Sequence, residues 1–131
     1  AGMRVHQGHS PGDAHADIIE RAKVVLVPSE WYENGAFVAL QALAKGKIVV
    51  ASDIAGLSEI VQDGETGYLA EPGNPDSFAI AIQSVLDMSE NQYEKMSKNI
   101  VEYAKKRCDA TTYVSELLKI YSKLISQKRN N

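Results

Sequence analysis

Two unbroken aliphatic runs, VVLV at 24–27 and IVVA at 48–51, constrain the fold of this 131-residue chain more than any other feature. A strand with one wet face alternates apolar and polar residues. A run without that alternation reads as a strand buried on both faces, the pattern of a parallel sheet covered by helices. Pro28 and Ser29 stop the first run, and the spacing predicts a helix over 35–45 with Gly46 at its usual glycine stop. The second strand is expected over 47–52, followed by a turn at 53–56, a short helix over 57–62, an Asp63-Gly64 turn and a brief strand at 67–70. Strand, helix, strand, helix, strand in that order implies right-handed crossovers and parallel pairing.

Upstream, Asp13 is placed to cap a helix through residue 21 or 22, with Ala14, Ile18 and Ala22 one turn apart on a single face. Downstream, three helices in succession are expected to close the domain. The first starts at Asn74 or Asp76 and carries a stripe of Phe78, Ile82, Val85 and Leu86; the others run over 91–107 and 110–126. The fold class that follows is α/β, a Rossmann-like partial parallel sheet with flanking helices and three terminal helices.

With 44% apolar and 24% charged residues, the composition is that of one ordinary soluble domain. The single cysteine, Cys108, makes no intrachain disulfide and is too few for a structural zinc site, which favours a reducing, cytoplasmic setting; a buried, inert thiol is expected. No apolar run approaches the ~20 residues that span a bilayer, and the first residues do not read as a signal peptide. Residues 1–90 hold five Lys/Arg against thirteen Asp/Glu, whereas 91–131 hold nine against four. The basic tail reads as the solvated outer face of two helices, or as a docking surface for an acidic partner or an anionic membrane in a peripheral contact. Nucleic acid is not an expected partner, because no aromatic residues are interleaved with a basic motif and the body is acidic. His6, His9 and His15 have no ligand spacing, so surface or loop positions are expected and no metal. An unpaired edge of a parallel sheet is a template for another strand, and a homodimer is one consequence.

The loop PSEWYENGAF follows the first strand at the carboxyl edge of the sheet, where open α/β folds bind ligands. The next helix would present its backbone amides and positive dipole end near Gly35, an anion site suited to a diphosphate or sugar phosphate. Gly35 and Ala36 keep the approach open. Glu33 stands beside this site to accept hydrogen bonds from sugar hydroxyls, and Gln41, eight residues on, reaches the same cleft after two turns and about 80°. The plainer alternative is that Glu33 caps the helix and Gln41 is an ordinary surface residue. Trp31 and Tyr32 either wall a pocket or pack locally; Ser58 and Glu59 are expected to cap the short helix.

The run VVLVPSEWYENGAFVALQALAKGKIVVASDIAGLSEIVQDGETGYLAEPGNPDSFAIAI resembles the carboxy-terminal domain of the family 4 retaining glycosyltransferases, which have the two-domain GT-B fold. The likeness covers about residues 18–82, in order, and the following helices are similar in kind. It implies transfer of a hexose with retention from a UDP-, GDP- or ADP-sugar, which is a donor substrate and not a cofactor, with no metal. It places Glu33 at the donor sugar as the catalytic-site residue. The backbone of Gly35, Ala36 and Phe37, with Val38, falls at the donor sugar and phosphate, and Gln41 stands where the family has a second glutamate that grips the ribose. Glutamine there exchanges charge-assisted hydrogen bonds for neutral ones about half as strong. Asn34-Gly35-Ala36 departs from the commoner Gly-Phe-Gly.

The resemblance also implies parts that these residues do not supply. Residues 1–17 are too few for the family's first strand, glycine-arginine turn and diphosphate-binding lysine, and no amino-terminal acceptor domain is seen. Residues 1–131 are therefore read as one partial, donor-binding domain. On this reading the isolated chain is inactive, and an acceptor-binding domain or partner chain completes it. The rival reading is a noncatalytic, glycosyltransferase-like interaction module; a nucleotide-sugar epimerase fits less well.

Overall fold

The computed structural model describes residues 13–32 and 36–129. Its order is α1 (Asp13–Arg21), β1 (Val24–Val27), α2 (Phe37–Ala44), β2 (Ile48–Ser52), α3 (Leu57–Ile60), β3 (Gly67–Ala70), α4 (Pro75–Leu86), α5 (Glu90–Arg107) and α6 (Ala110–Arg129). The three strands form a parallel sheet in the order β1-β2-β3, with Val24 beside Ile48 and Val49 beside Gly67. The α/β, Rossmann-like reading of the sequence holds. All five residues of β2 are buried, and successive side chains of a strand point to opposite faces, so both faces of the sheet are covered there. α2 and α5 pack on one another and on the sheet, while α4 lies on β2 and β3. The core is built from Leu43, Ile48, Val49, Val50, Leu57, Val61, Val85 and Ile100.

Burial of β1 on both faces does not hold. Among the described residues β1 lies at an edge of the sheet, where fewer elements pack over its faces, and Leu26 is 45% exposed. In α1 the core residue is Ile19 and not Ile18, which points outward. α2 begins at Phe37, two residues later than expected, and stops at Gly46, whose φ of 68° provides the left-handed step that favours glycine. The helix stripe of α4 is Phe78, Ala81, Ile82 and Val85; Leu86 is exposed. Asn74 is the cap of α4, its Oδ1 accepting from the amides of Asp76 and Ser77 at 3.1 and 3.2 Å with Pro75 at the first helical position. α5 starts at Glu90 through a capping box in which the Ser89 hydroxyl and the Gln92 side chain each accept from the other's backbone amide.

The turn before β3 is tightly braced. The Gln62 amide donates to Thr66 Oγ1 at 2.9 Å, and the Leu69 amide donates to Asp63 Oδ1 at 2.9 Å. Thr66 is buried. Thr66→Val keeps the shape and leaves the Gln62 amide without its acceptor, so a loss of about 1–2 kcal/mol in urea unfolding is expected. An unchanged midpoint would mean that water replaces the hydroxyl.

α6 does not close the domain as expected. Tyr113, Val114, Leu118, Ile120, Tyr121, Leu124 and Ile125 are all at least half exposed, so its apolar face has no cover among the described residues. Asp109 caps it, accepting from the Thr111 and Thr112 amides and the Thr112 hydroxyl, and these bonds hold its carboxyl below the usual range. Cys108, expected buried, is exposed, because it sits at the carboxyl end of α5 beyond the last core residue, Ala104. No helix is long and apolar enough to cross a membrane among the described residues.

Candidate functional site

In a parallel sheet the loops after the strands gather at one edge, and here those are 28–36, 53–56 and 71–74. The first leads into α2. Ala36 is the N-cap of α2, buried, and its side chain has nothing with which to accept a hydrogen bond; no acidic residue follows in the first turn. The first backbone bond of the helix runs from the Leu40 amide to the Ala36 carbonyl at 3.1 Å. The preceding amides lie in the first turn, where a helix has no carbonyl of its own to receive them. The amino end of α2 thus carries the helix's partial positive charge without a protein anion in its own first turn to offset it.

Of the residues singled out in the sequence, Phe37, Val38 and Gln41 share one exposed stripe of α2, with Phe37 75% exposed. Ala36 lies beneath them in the core. Glu33 and Gly35, with Asn34, lie outside the described residues. Trp31 and Tyr32 are 69% and 80% exposed, so local packing does not account for them. The second loop is different from expectation: Ser58 does not cap α3 but donates its hydroxyl to the Ile54 carbonyl at 3.0 Å, and the cap position is Gly56 with φ 91°. Glu59 is exposed in the first turn. Asp53 extends the sheet by one bond, its amide donating to the Ala70 carbonyl at 2.8 Å.

Sequence reasoning passed over Ser52. It is fully buried at the carboxyl end of β2, and its hydroxyl has no hydrogen-bond partner among the described residues. A buried hydroxyl without a partner is costly, and a serine that ends an aliphatic run reads in sequence as the start of the following turn. A cleft of about 360 Å³ lies beside the edge strand, lined by Leu26, Pro28, Phe78 and Ile82 with Glu30 and Asn74 at its rim.

α2 is held from below and from the side. Ala39, Ala42 and Leu43 are buried against the sheet and α5, and Lys45 Nζ meets Glu20 Oε2 of α1 at 3.0 Å. That pair is solvent-exposed; the lysine lowers the Glu20 pKa, and the contribution to stability is small. From α5, the Tyr93 hydroxyl donates to the Lys23 carbonyl at 2.8 Å, and Lys23 Nζ lies 5.5 Å from the ring centre. Partial burial, with Glu90 nearby, raises the Tyr93 pKa, so the phenol remains a donor at neutral pH.

This arrangement can be set beside known proteins. The chain is 42% identical over 96 residues to the lipopolysaccharide 1,2-N-acetylglucosaminetransferase of Salmonella typhimurium, an alignment covering 72% of this chain and 25% of that protein. Its structure is similar to that of Anabaena HepE in complex with UDP, with a TM-score of 0.74 and 24% identity over 81% of this chain and 29% of HepE. It is similar as well to sucrose-phosphate synthase from Thermosynechococcus elongatus, with a TM-score of 0.74 and 30% identity over 84% of this chain and 27% of that one. The chain spans about a quarter of the length of these relatives. The sequence profile of the glycosyl transferases group 1 matches residues 4–107, which takes in the sheet, the loop with its helix, and the packing helices α4 and α5. That match spans the strand-loop-helix unit at the sheet's carboxyl edge, and the chain belongs to the glycosyl transferases group 1.

Proposed function

We propose that this chain is the nucleotide-sugar-binding part of a glycosyltransferase that moves a hexose from a nucleoside diphosphate sugar with retention. The observation that carries the reading is the amino end of α2 at the carboxyl edge, whose N-cap Ala36 makes no side-chain cap, with Phe37, Val38 and Gln41 exposed along one stripe of the helix. The diphosphate of a donor would be received by the backbone amides from Gly35 through Val38, the ribose by Gln41, and the sugar by Glu33. HepE has been solved with UDP and with UDP-glucose, which makes UDP the first nucleotide to test.

Transfer makes a further demand. The leaving diphosphate must be stabilised as the glycosidic bond breaks, and a loss of such stabilisation costs several kcal/mol in the transition state. The helix end offers partial charge only, so the isolated 131-residue chain is expected to bind donor and leave it intact, with acceptor site and full positive charge contributed by another domain or partner chain. The exposed apolar face of α6 supports a second reading, an interaction module that kept the fold without the chemistry.

Calorimetric titration with UDP, GDP and ADP tests the first reading. Saturable binding of UDP is expected, and Gln41→Glu should tighten it by about tenfold, since a charged acceptor roughly doubles the strength of each hydrogen bond to the ribose hydroxyls. If neither form binds any of the three nucleotides, the donor reading fails; if both bind equally, Gln41 does not contact the ribose.

A further inference from the structure

A second cavity, of about 520 Å³, lies between the braced turn before β3 and the outer face of α5. The turn precedes β3, whereas the loop into α2 follows β1. In a parallel sheet these are opposite ends, separated by the length of a four-residue strand, about 13 Å. The cavity is thus a place of its own and not an extension of the nucleotide cleft. Its volume is in the range of small-molecule sites.

The lining decides what chemistry it suits. α5 contributes Gln92, Lys95, Asn99 and Tyr103, spaced at i, i+3, i+7 and i+11 so that they stack along one side of the helix. The turn faces them with Gln62 and Glu65. Lysine and glutamate cancel in charge, which disfavours a strongly anionic or cationic ligand. The remaining polar groups are carboxamides, a phenol and the Thr66 hydroxyl, which already accepts from the Gln62 amide. A carboxamide offers a donor and an acceptor on one side chain, which matches the paired donor and acceptor character of neighbouring sugar hydroxyls.

The inventory of unused capacity agrees with this match. Gln92 Oε1 already accepts from the Ser89 amide at 2.9 Å, so the side chain's remaining capacity is chiefly its amide donors. The Tyr103 hydroxyl donates to the Ile60 carbonyl at 3.0 Å, which leaves its oxygen as an acceptor. Met96, buried at the cavity wall, supplies an apolar surface for the C–H face of a pyranose ring. The site is also built to keep its shape. Thr66 and Asp63 lock the turn, and Gly64 at φ 75°, with open space around it, leaves the rim unobstructed.

From this geometry we propose that the cavity between the 62–66 turn and α5 binds a neutral saccharide of one or two sugar units, at the sheet edge opposite the nucleotide cleft. In a chain that handles sugars, such a site would hold a stretch of glycan away from the transfer centre.

An amide NMR titration of the full chain with maltose, cellobiose and di-N-acetylchitobiose tests this, with inorganic phosphate as the anionic comparison. The result expected is a saturable response over residues 62–66 and 92–103 with at least one disaccharide, unchanged by saturating UDP, and weakened about tenfold or more in Asn99→Leu. Asn99 is on the exposed side of α5, and an unaltered spectrum elsewhere verifies that the variant is folded. The proposal is overturned if no disaccharide gives a saturable response, if the response falls on residues 28–41, if phosphate is preferred, or if Asn99→Leu responds as the parent does. UDP binding without saccharide binding removes this site and leaves the donor reading intact; the converse removes the donor reading alone.

Discussion

Gly67→Ala is expected to destabilise the chain by about 3 kcal/mol, a large loss for the addition of a single methyl group. A Cβ at Gly67 would run into the Val49 carbonyl oxygen of the neighbouring strand and come within 2.8 Å of Val61 Cγ1. The first of these is backbone in the centre of the sheet, so relief requires moving β2 or giving up the pairing of Val49 with Gly67. Gly64 and Gly73 make the contrast. Both have positive φ, 75° and 69°, but a Cβ at either meets nothing within 4 Å. Alanine there should cost only the left-handed conformation, about 1 kcal/mol. Urea unfolding of the three variants separates steric exclusion from backbone strain. A Gly67→Ala midpoint at or above that of Gly73→Ala would mean that β3 shifts freely on β2.

The same glycine shows how far the sequence could be read. Gly67 stands at the start of a short run expected as a strand, and the strand is there with the expected bounds, because GYLA lies between two firm turn signals. Nothing in the residue itself says that its missing side chain is what lets β3 approach β2. β2 was legible for a similar reason: four residues without a polar side chain before Ser52 leave no wet face. β1 has the same appearance in sequence and a different fate, since aliphatic runs report that a strand can be buried and not which neighbours it will have. The outward turn of Ile18 and Leu86 has the same origin, as one helix position of rotation decides which of two adjacent aliphatics meets the core.

At the candidate site, the strand-loop-helix order was legible, and Gln41 is exposed on α2. The starting residue of α2 was not legible. The helix was expected to start at residue 35, with Glu33 as the alternative cap, yet the N-cap is Ala36, a residue with no side-chain acceptor. Capping rules find helices that begin on a side-chain acceptor; they do not find one whose N-cap residue has none. Ser52 and the cavity on α5 were missed because each depends on contacts between segments far apart in sequence.

Ile100→Ala tests whether the helix that carries the site depends on the seam beneath it. Ile100 is fully buried in α5, and α5 is the element against which α2 packs with Ala39, Ala42 and Leu43. These residues and Ile100 belong to one buried cluster. Truncating Ile100 takes away the transfer free energy of the lost carbons and leaves a cavity that two helices pinned to a sheet cannot collapse, for an expected loss of about 3–4 kcal/mol; Ile100→Val should lose about 1 kcal/mol. At about 4 °C per kcal/mol for a chain of this size, the two melts are readily resolved. α2 also bears Phe37, Val38 and Gln41, so a loosened seam should weaken UDP binding in Ile100→Ala at temperatures where the chain stays folded, with Ile100→Val close to the parent. Equal melting of the two variants would show that α2 sinks into the vacated space. In that case the position of the helix is set by β1 and β2 and not by α5.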